Sequence, residues 1–247
     1  LIGGALGTLI GNRLPERWRE TVMHGLGLAT VAIGMSLTLS QLAAAEATLK
    51  RMTFIVVLAS ILLGGMIGEA LDLETRLDRL GRWLETHTSG LVGSKQGASN
   101  AGAGPAGMSV FSRGFVTASL VFCVGPMTII GSLRDGLTGD YTLLAIKAVL
   151  DGFAALAFAS SLGLGVNFAA LTVLFYQGGL ALSARWVSGF LSEVMIAEMS
   201  ATGGILLLSI GLALLDIKRV RVANLLPAIF IAPLIVVVAL LLVPIIG

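Results

Sequence analysis

Two ionisable residues of opposite sign, Lys147 and Asp151, stand four positions apart in an otherwise apolar run, KAVLDGFAA. On a helix that spacing puts the ammonium and the carboxylate on one face, where they can pair. Counted from a helix start beside Asp140 at about 1.5 Å per residue, Lys147 lies roughly 10 Å along the helix and Asp151 roughly 16 Å. The second figure is near the middle of a hydrocarbon layer about 30 Å thick. A charge at that depth costs at least about 2.5–3.5 kcal/mol, so both side chains must face protein or water. Two uses fit this arrangement. One is a substrate or coupling site in which Asp151 exchanges a proton or cation; the other is an ion pair that fixes helix packing.

A second feature precedes it in the chain. Phe122-Cys123-Val124-Gly125-Pro126-Met127 interrupts an apolar segment at its middle. Proline removes a backbone donor and clashes with the preceding turn, which frees carbonyl groups at membrane depth. Broken helices expose backbone groups and helix ends that hold ions or carboxylates in transporters. Gly125 and Pro126 therefore join Lys147 and Asp151 as candidate site residues. Gln177, after Tyr176 and before Gly178-Gly179, and Asn224 in NLLPA are polar candidates in apolar runs, although interhelical hydrogen bonds are the commoner use of such residues. Glu69 and Glu198, at the ends of apolar runs, are expected at the interface, and His24 near a helix start is expected to be solvated or hydrogen-bonded. No HExxH, Walker loop or paired-cysteine pattern occurs, and two histidines with the single Cys123 do not assemble a familiar metal cage. No enzymatic activity, cofactor or metal is expected, and the distributed positive charges give no reason to expect nucleic acid as a partner.

The elements that must position these residues are membrane helices. The spans 21–45, 52–68, 114–133, 152–184, 199–215 and 222–247 contain no Asp, Glu, Lys or Arg. About 20 mostly apolar residues suffice for a helix to cross the hydrocarbon. Charged residues are 12% of the chain, against about 25% in soluble domains, and the mean hydropathy is +0.96. The chain is thus an all-α polytopic bundle with the lipid bilayer as its surroundings. Helices are expected at about 1–12, 22–43, 52–71, 115–133, 141–163, 167–187, 199–216 and 222–246, giving seven or eight membrane helices. Asp140 is expected to cap the fifth, and the long uncharged run 152–184 must break at Gly163-Leu164-Gly165-Val166-Asn167. The opening run is read as the C-terminal half of a first membrane helix.

Three regions result: 1–71 with the first three helices, 72–113 as a connection, and 114–247 with helices four to eight. Within the connection, Leu73, Leu77, Leu80 and Leu84 recur at helical spacing over 72–87, an amphipathic helix for the membrane surface or a partner. Residues 88–110 read as a Gly/Ala/Ser-rich linker. With eight crossings, alternate loops carry eleven and four Lys or Arg residues, which assigns the richer side to the cytoplasm and both termini to the outside. The glycines Gly27 and Gly34 of the second helix recur as Gly204 and Gly211 of the seventh, and Gly3-Gly4 resembles Gly178-Gly179. An offset of five helices would make the copies inverted repeats, a signature of secondary transporters.

The motifs GGALGTLIGNRLPE, FCVGPM, GSLRDGLTGDY, KAVLDGFAA, YQG and VANLLPA resemble the bacterial membrane protein family of unknown function 554 (YdfK/YqgA type) over nearly the whole chain. The resemblance implies an integral, multi-pass protein of the bacterial cytoplasmic (inner) membrane and names no substrate. The residues themselves lead to a secondary transporter or channel for a small solute or ion, assembled as a homo-oligomer. Its site would hold Lys147, Asp151, Gln177 and Asn224 beside the broken helix. The rival is a non-transporting scaffold or sensor that recruits a partner through 72–87.

Overall fold

In hydrocarbon every backbone N–H and C=O needs a partner within the protein, and this chain meets the demand with helices. The computed structural model describes residues 1–11, 15–77, 79, 83, 110–124, 126–218 and 220–246, among which no strand occurs. The helices are α1 (Ile2–Gly11), α2 (Glu16–Leu49), α3 (Met52–Ala70), α4 (Val110–Cys123), α5 (Pro126–Thr138), α6 (Thr142–Leu162), α7 (Gly165–Leu182), the short α8 (Ala184–Val187), α9 (Glu193–Leu214) and α10 (Pro227–Ile246). A 3-10 turn, Val222–Leu225, leads into α10.

Six helices among the described residues are long and apolar enough to cross a membrane, and α4 with α5, bent by 63°, makes a seventh when the pair is counted as one span. The ten residues of α1 are apolar but reach only about 15 Å, half a crossing. Several expected boundaries hold. The uncharged run 152–184 breaks where Gly163 adopts a φ of 72°, a left-handed conformation that glycine reaches at no steric cost. Asp140 Oδ1 accepts from the Thr142 N–H at 3.1 Å. Hydrogen bonds from the Thr142 hydroxyl and backbone hold the Asp140 carboxyl below its ordinary range. Others differ: the expected 115–133 runs from Val110 to Thr138 as the bent pair, and the expected 222–246 becomes α-helical only at Pro227. At 34 residues α2 is longer than the expected 22–43, because its polar first turns continue the helix past the hydrocarbon. α9 starts at Glu193, six residues early, because Ser192 caps it by accepting from the Met195 N–H at 3.4 Å. Residues 73–77 of the expected amphipathic helix are helical; most of the remainder, and the linker 88–110 up to Val110, lie outside the described residues.

Without a hydrophobic drive between helices in lipid, close backbone approach holds the bundle, and glycine supplies it. Gly3, Gly7 and Gly11 of α1 press on the carbonyls of Gly152, Leu156 and Ser160 in the same order, so α1 and α6 run parallel. Gly27 meets Leu215 and Gly34 meets Gly204 in reversed order, so α2 and α9 are antiparallel. Gly64 against Ala228 and Gly68 against Asn224 make α3 and α10 antiparallel too. In α4 and α7, Phe111 meets Phe168 and Ser119 donates to Thr172, again in parallel. With α4 and α5 counted as one crossing, all four pairings agree with eight segments of alternating direction.

The glycines that suggested duplication in α2 and α9 are therefore the contact between these two helices, which run in opposite senses as inverted copies would. The other comparison finds no such echo: Gly3 and Gly4 are tightly packed, whereas Gly178 and Gly179 have open space around them.

A Cβ at Gly68 would overlap the Asn224 carbonyl, a backbone group that no rotamer change removes. Gly68→Val should lower stability in detergent by about 1–3 kcal/mol, read as a reduced Tm. Gly179→Ala should leave Tm unchanged or slightly raised; equal losses in both variants would contradict the packing assignment.

Candidate functional site

α6 runs unbroken from Thr142 to Leu162, and its turns carry two different faces. One packs on α1 through Gly152, Leu156 and Ser160. The other holds Lys147, Asp151 and, seven residues further, Phe158, which recur at helical spacing. Phe158 meets Phe122 of α4 with ring centroids 6.5 Å apart and planes at 72°. On the same side Leu144 packs over Gly131 of α5. These contacts run in reversed order, so α6 is antiparallel to the bent pair, and the break at 124–126 lies level with Asp151.

The Lys147 Nζ donates to Asp151 Oδ2, closing the ion pair that the spacing implies. The lysine side chain is only 9% exposed and the aspartate 27%, so the pair faces protein on the lysine side and keeps an opening on the other. Cys123, the last residue of α4, lies within electrostatic reach of both.

The break itself is well satisfied. The Val124 N–H donates to the Leu120 carbonyl at 2.9 Å, ending α4. The Thr128 hydroxyl reaches back across the gap to the Phe122 carbonyl at 3.2 Å, taking up one of the acceptors that the break frees. Pro126 opens α5 at the first helical position, where its missing N–H costs nothing. The electropositive start of α5 thus lies at the depth of the Asp151 carboxylate. Gly125 lies outside the described residues.

A cavity of about 200 Å³ adjoins the break, walled by Phe115, Ser119 and Cys123 of α4, Thr172 and Tyr176 of α7 and Met199 of α9. A second cavity of about 430 Å³ shares Ile129, Tyr176, Met199 and Phe230 with it and extends to Trp186 and Phe190. Together they form one crevice between Leu77, on the side rich in Lys and Arg, and the α7–α9 connection on the opposite side. Its walls are mostly carbon, with the Ser119–Thr172 hydrogen bond (3.0 Å) and the Tyr176 hydroxyl as polar points.

Lys147 and Asp151 are thus brought together, and neither of them lines the crevice. Gln177 is half-buried on α7 next to Tyr176, but it does not line the crevice. Asn224 lies elsewhere, where α3 ends and α10 begins. Its amide nitrogen donates to Glu69 Oε2 at 2.6 Å, and its carbonyl oxygen accepts from the Glu74 N–H at 2.8 Å. Arg221 closes the cluster with a 2.5 Å bond to Glu69 Oε1. Asn224 is therefore a clamp that holds 73–77 against the bundle, with Leu77 in the crevice wall. Sequence spacing could not reveal this clamp, because its members come from two segments about 150 positions apart.

His24 is exposed, as expected of a residue near a helix start. Glu69 is exposed at its helix end, also as expected, but Glu198 is fully buried, because α9 begins a turn and a half before it.

The clamp predicts a release. In a Cys123→Ala background, the reporter substitution Leu77→Cys should react slowly with a maleimide and several-fold faster when Asn224→Ala is added. Equal labelling rates would show that Asn224 does not hold the segment.

Comparison with known proteins agrees with this picture. The profile of the family described as "Protein of unknown function (DUF554)" matches residues 1–237. The chain is 29% identical over 236 residues to the "Uncharacterized membrane protein YdfK" of Bacillus subtilis (strain 168), covering 96% of this chain and 91% of that protein. It is 35% identical over 232 residues to the "Uncharacterized protein YqgA" of Escherichia coli (strain K12), covering 94% and 90%. No solved structure matches. This bundle of apolar, glycine-packed helices is a membrane protein, and its chain belongs to the family of unknown function 554.

Proposed function

We propose that the protein is a secondary transporter or channel for a small solute or ion in the bacterial cytoplasmic membrane, working as a homo-oligomer and without enzymatic activity. The observation that carries this reading is the Lys147–Asp151 pair on an apolar helix, level with a helix break; neither charged residue lines the crevice, which reaches the break through Cys123 and Val124. Intramembrane ionisable residues turned toward the interior of a bundle mark ion and substrate pathways. Helix breaks at membrane depth are tolerated where they line a cavity. The sequence offers no nucleotide-binding motif, so the driving force in this reading is a proton or sodium gradient.

The rival scaffold reading needs the apolar face of 72–87 to be free for a partner. In the structure the Glu74 N–H is bound by Asn224, and Leu77 is turned into the crevice wall. Both observations support transport over recruitment.

Thermal-shift screening against ions and metabolites identifies a solute, because a ligand of the folded state raises stability by mass action. In proteoliposomes, Asp151→Asn should then abolish gradient-driven uptake of that solute while the protein stays folded and monodisperse. Full uptake by this variant would remove Asp151 from the mechanism.

A further inference from the structure

α9 buries a second carboxyl group that the ion pair does not involve. Glu198 is 0% exposed, and among the described residues neither of its carboxyl oxygens has a hydrogen-bond partner. One turn on, Thr202 is equally buried and its Oγ1 also lacks a partner. Four residues apart, the two share one face of α9. This face is turned away from the crevice, which α9 lines with Met199 and Ser200.

The neighbours of that face follow from register. Val194, one turn before Glu198, packs against the cluster formed by Leu49 of α2, Val56 of α3 and Val236 and Ala239 of α10. α3 runs parallel to α9, since both are antiparallel to α10 or to α2, which precedes α3. One turn on from Val56 is Ser60, whose hydroxyl is committed to the Val56 carbonyl at 2.6 Å. On α10 the same level is Ala232, and on α2 it is Gln41, one turn past Thr38, which bonds to the Ala201 carbonyl at 3.3 Å.

Among the described residues, no positive charge comes to meet Glu198 from these elements. α10 carries none. The only charge within α3 is Glu69 at its far end, bound to Arg221, while Lys50 and Arg51 before its start are exposed. On α2, Glu46 is exposed beyond Gln41 and His24 lies turns away in the other direction. The Arg134 and Asp135 of α5 lie near its end, Arg113 of α4 near its start, and Cys123 at the break beside the Lys147–Asp151 pair.

An isolated carboxylate in such surroundings is too costly to persist, and the group neutralises instead. A hard metal ion would need about six oxygen ligands. The unpartnered oxygens here are the two of Glu198 and the one of Thr202, and neither crevice cavity reaches them. A proton needs no such cage. We infer that Glu198 is a proton-binding site, loaded in the conformation described here. It discharges as –COOH to –COO⁻ with the proton passing to water, once movement of α9 opens that face. That this proton drives solute movement rests on the transport reading above; the binding site itself does not.

Infrared spectroscopy of the full chain in lipid nanodiscs tests it without a known solute. At neutral pH, where exposed and ion-paired carboxyls are ionised, the wild type should show a carboxylic acid C=O band that shifts on exchange into D2O. Glu198→Gln should lose the band, Glu198→Asp should keep it at a displaced frequency, and Asp151→Asn should leave it unchanged. Absence of the band from the wild type, or its survival in folded Glu198→Gln, would overturn the assignment. So would its replacement by a carboxylate band on adding sodium, which would make the site one for a metal cation. An intact band in a protein that moves no solute would overturn the transport reading alone.

Discussion

The structure turns on the attraction between Lys147 and Asp151 inside a layer that tolerates neither alone. Removing one partner of a buried pair leaves an uncompensated charge, at a cost of about 3–5 kcal/mol. The face of α6 that carries them therefore has to point into protein. What it meets there is the break between α4 and α5, with a helix N-terminus at the depth of the carboxylate and a cysteine at the end of the preceding helix. The lysine is nearly sealed and the aspartate keeps an opening.

Holding α6 in this orientation is the work of its opposite face. Gly3, Gly7 and Gly11 bring α1 against three α6 carbonyls, so α6 is gripped over more than two turns by backbone contact. The same small-residue packing joins α2 to α9 and α3 to α10, and the pairing directions produce the alternating topology. The remaining space, between α4, α7, α9 and α10, is the crevice. Glycine-mediated contacts thus both tighten the bundle and decide where it stays open.

Much of this was legible in the residues. Charge-free runs of membrane length define the helices, the glycines at 163 and 165 mark the turn inside the longest run, and the i, i+4 spacing of Lys147 and Asp151 already implies their pairing. Less was legible where tertiary context decides. Glu198 reads as an interfacial residue from its place at the edge of an apolar run, because nothing local announces that Ser192 starts the helix earlier. Asn224 reads as a candidate ligand or, more commonly, an interhelical hydrogen-bonding residue, and both ends of its amide are taken by Glu69 and Glu74, partners about 150 positions away. The crevice is a property of helix packing that no single segment carries.

The most direct measurement of the central interaction is a double-mutant cycle on α6, with Lys147→Met, Asp151→Leu and the combined variant followed by reversible unfolding in detergent or lipid. The pairing described here predicts that each single replacement costs more stability than the double, because each strands a buried charge and the double strands none. Single losses that simply add in the combined variant, or single variants as stable as the wild type, would show that the two charges do not depend on one another.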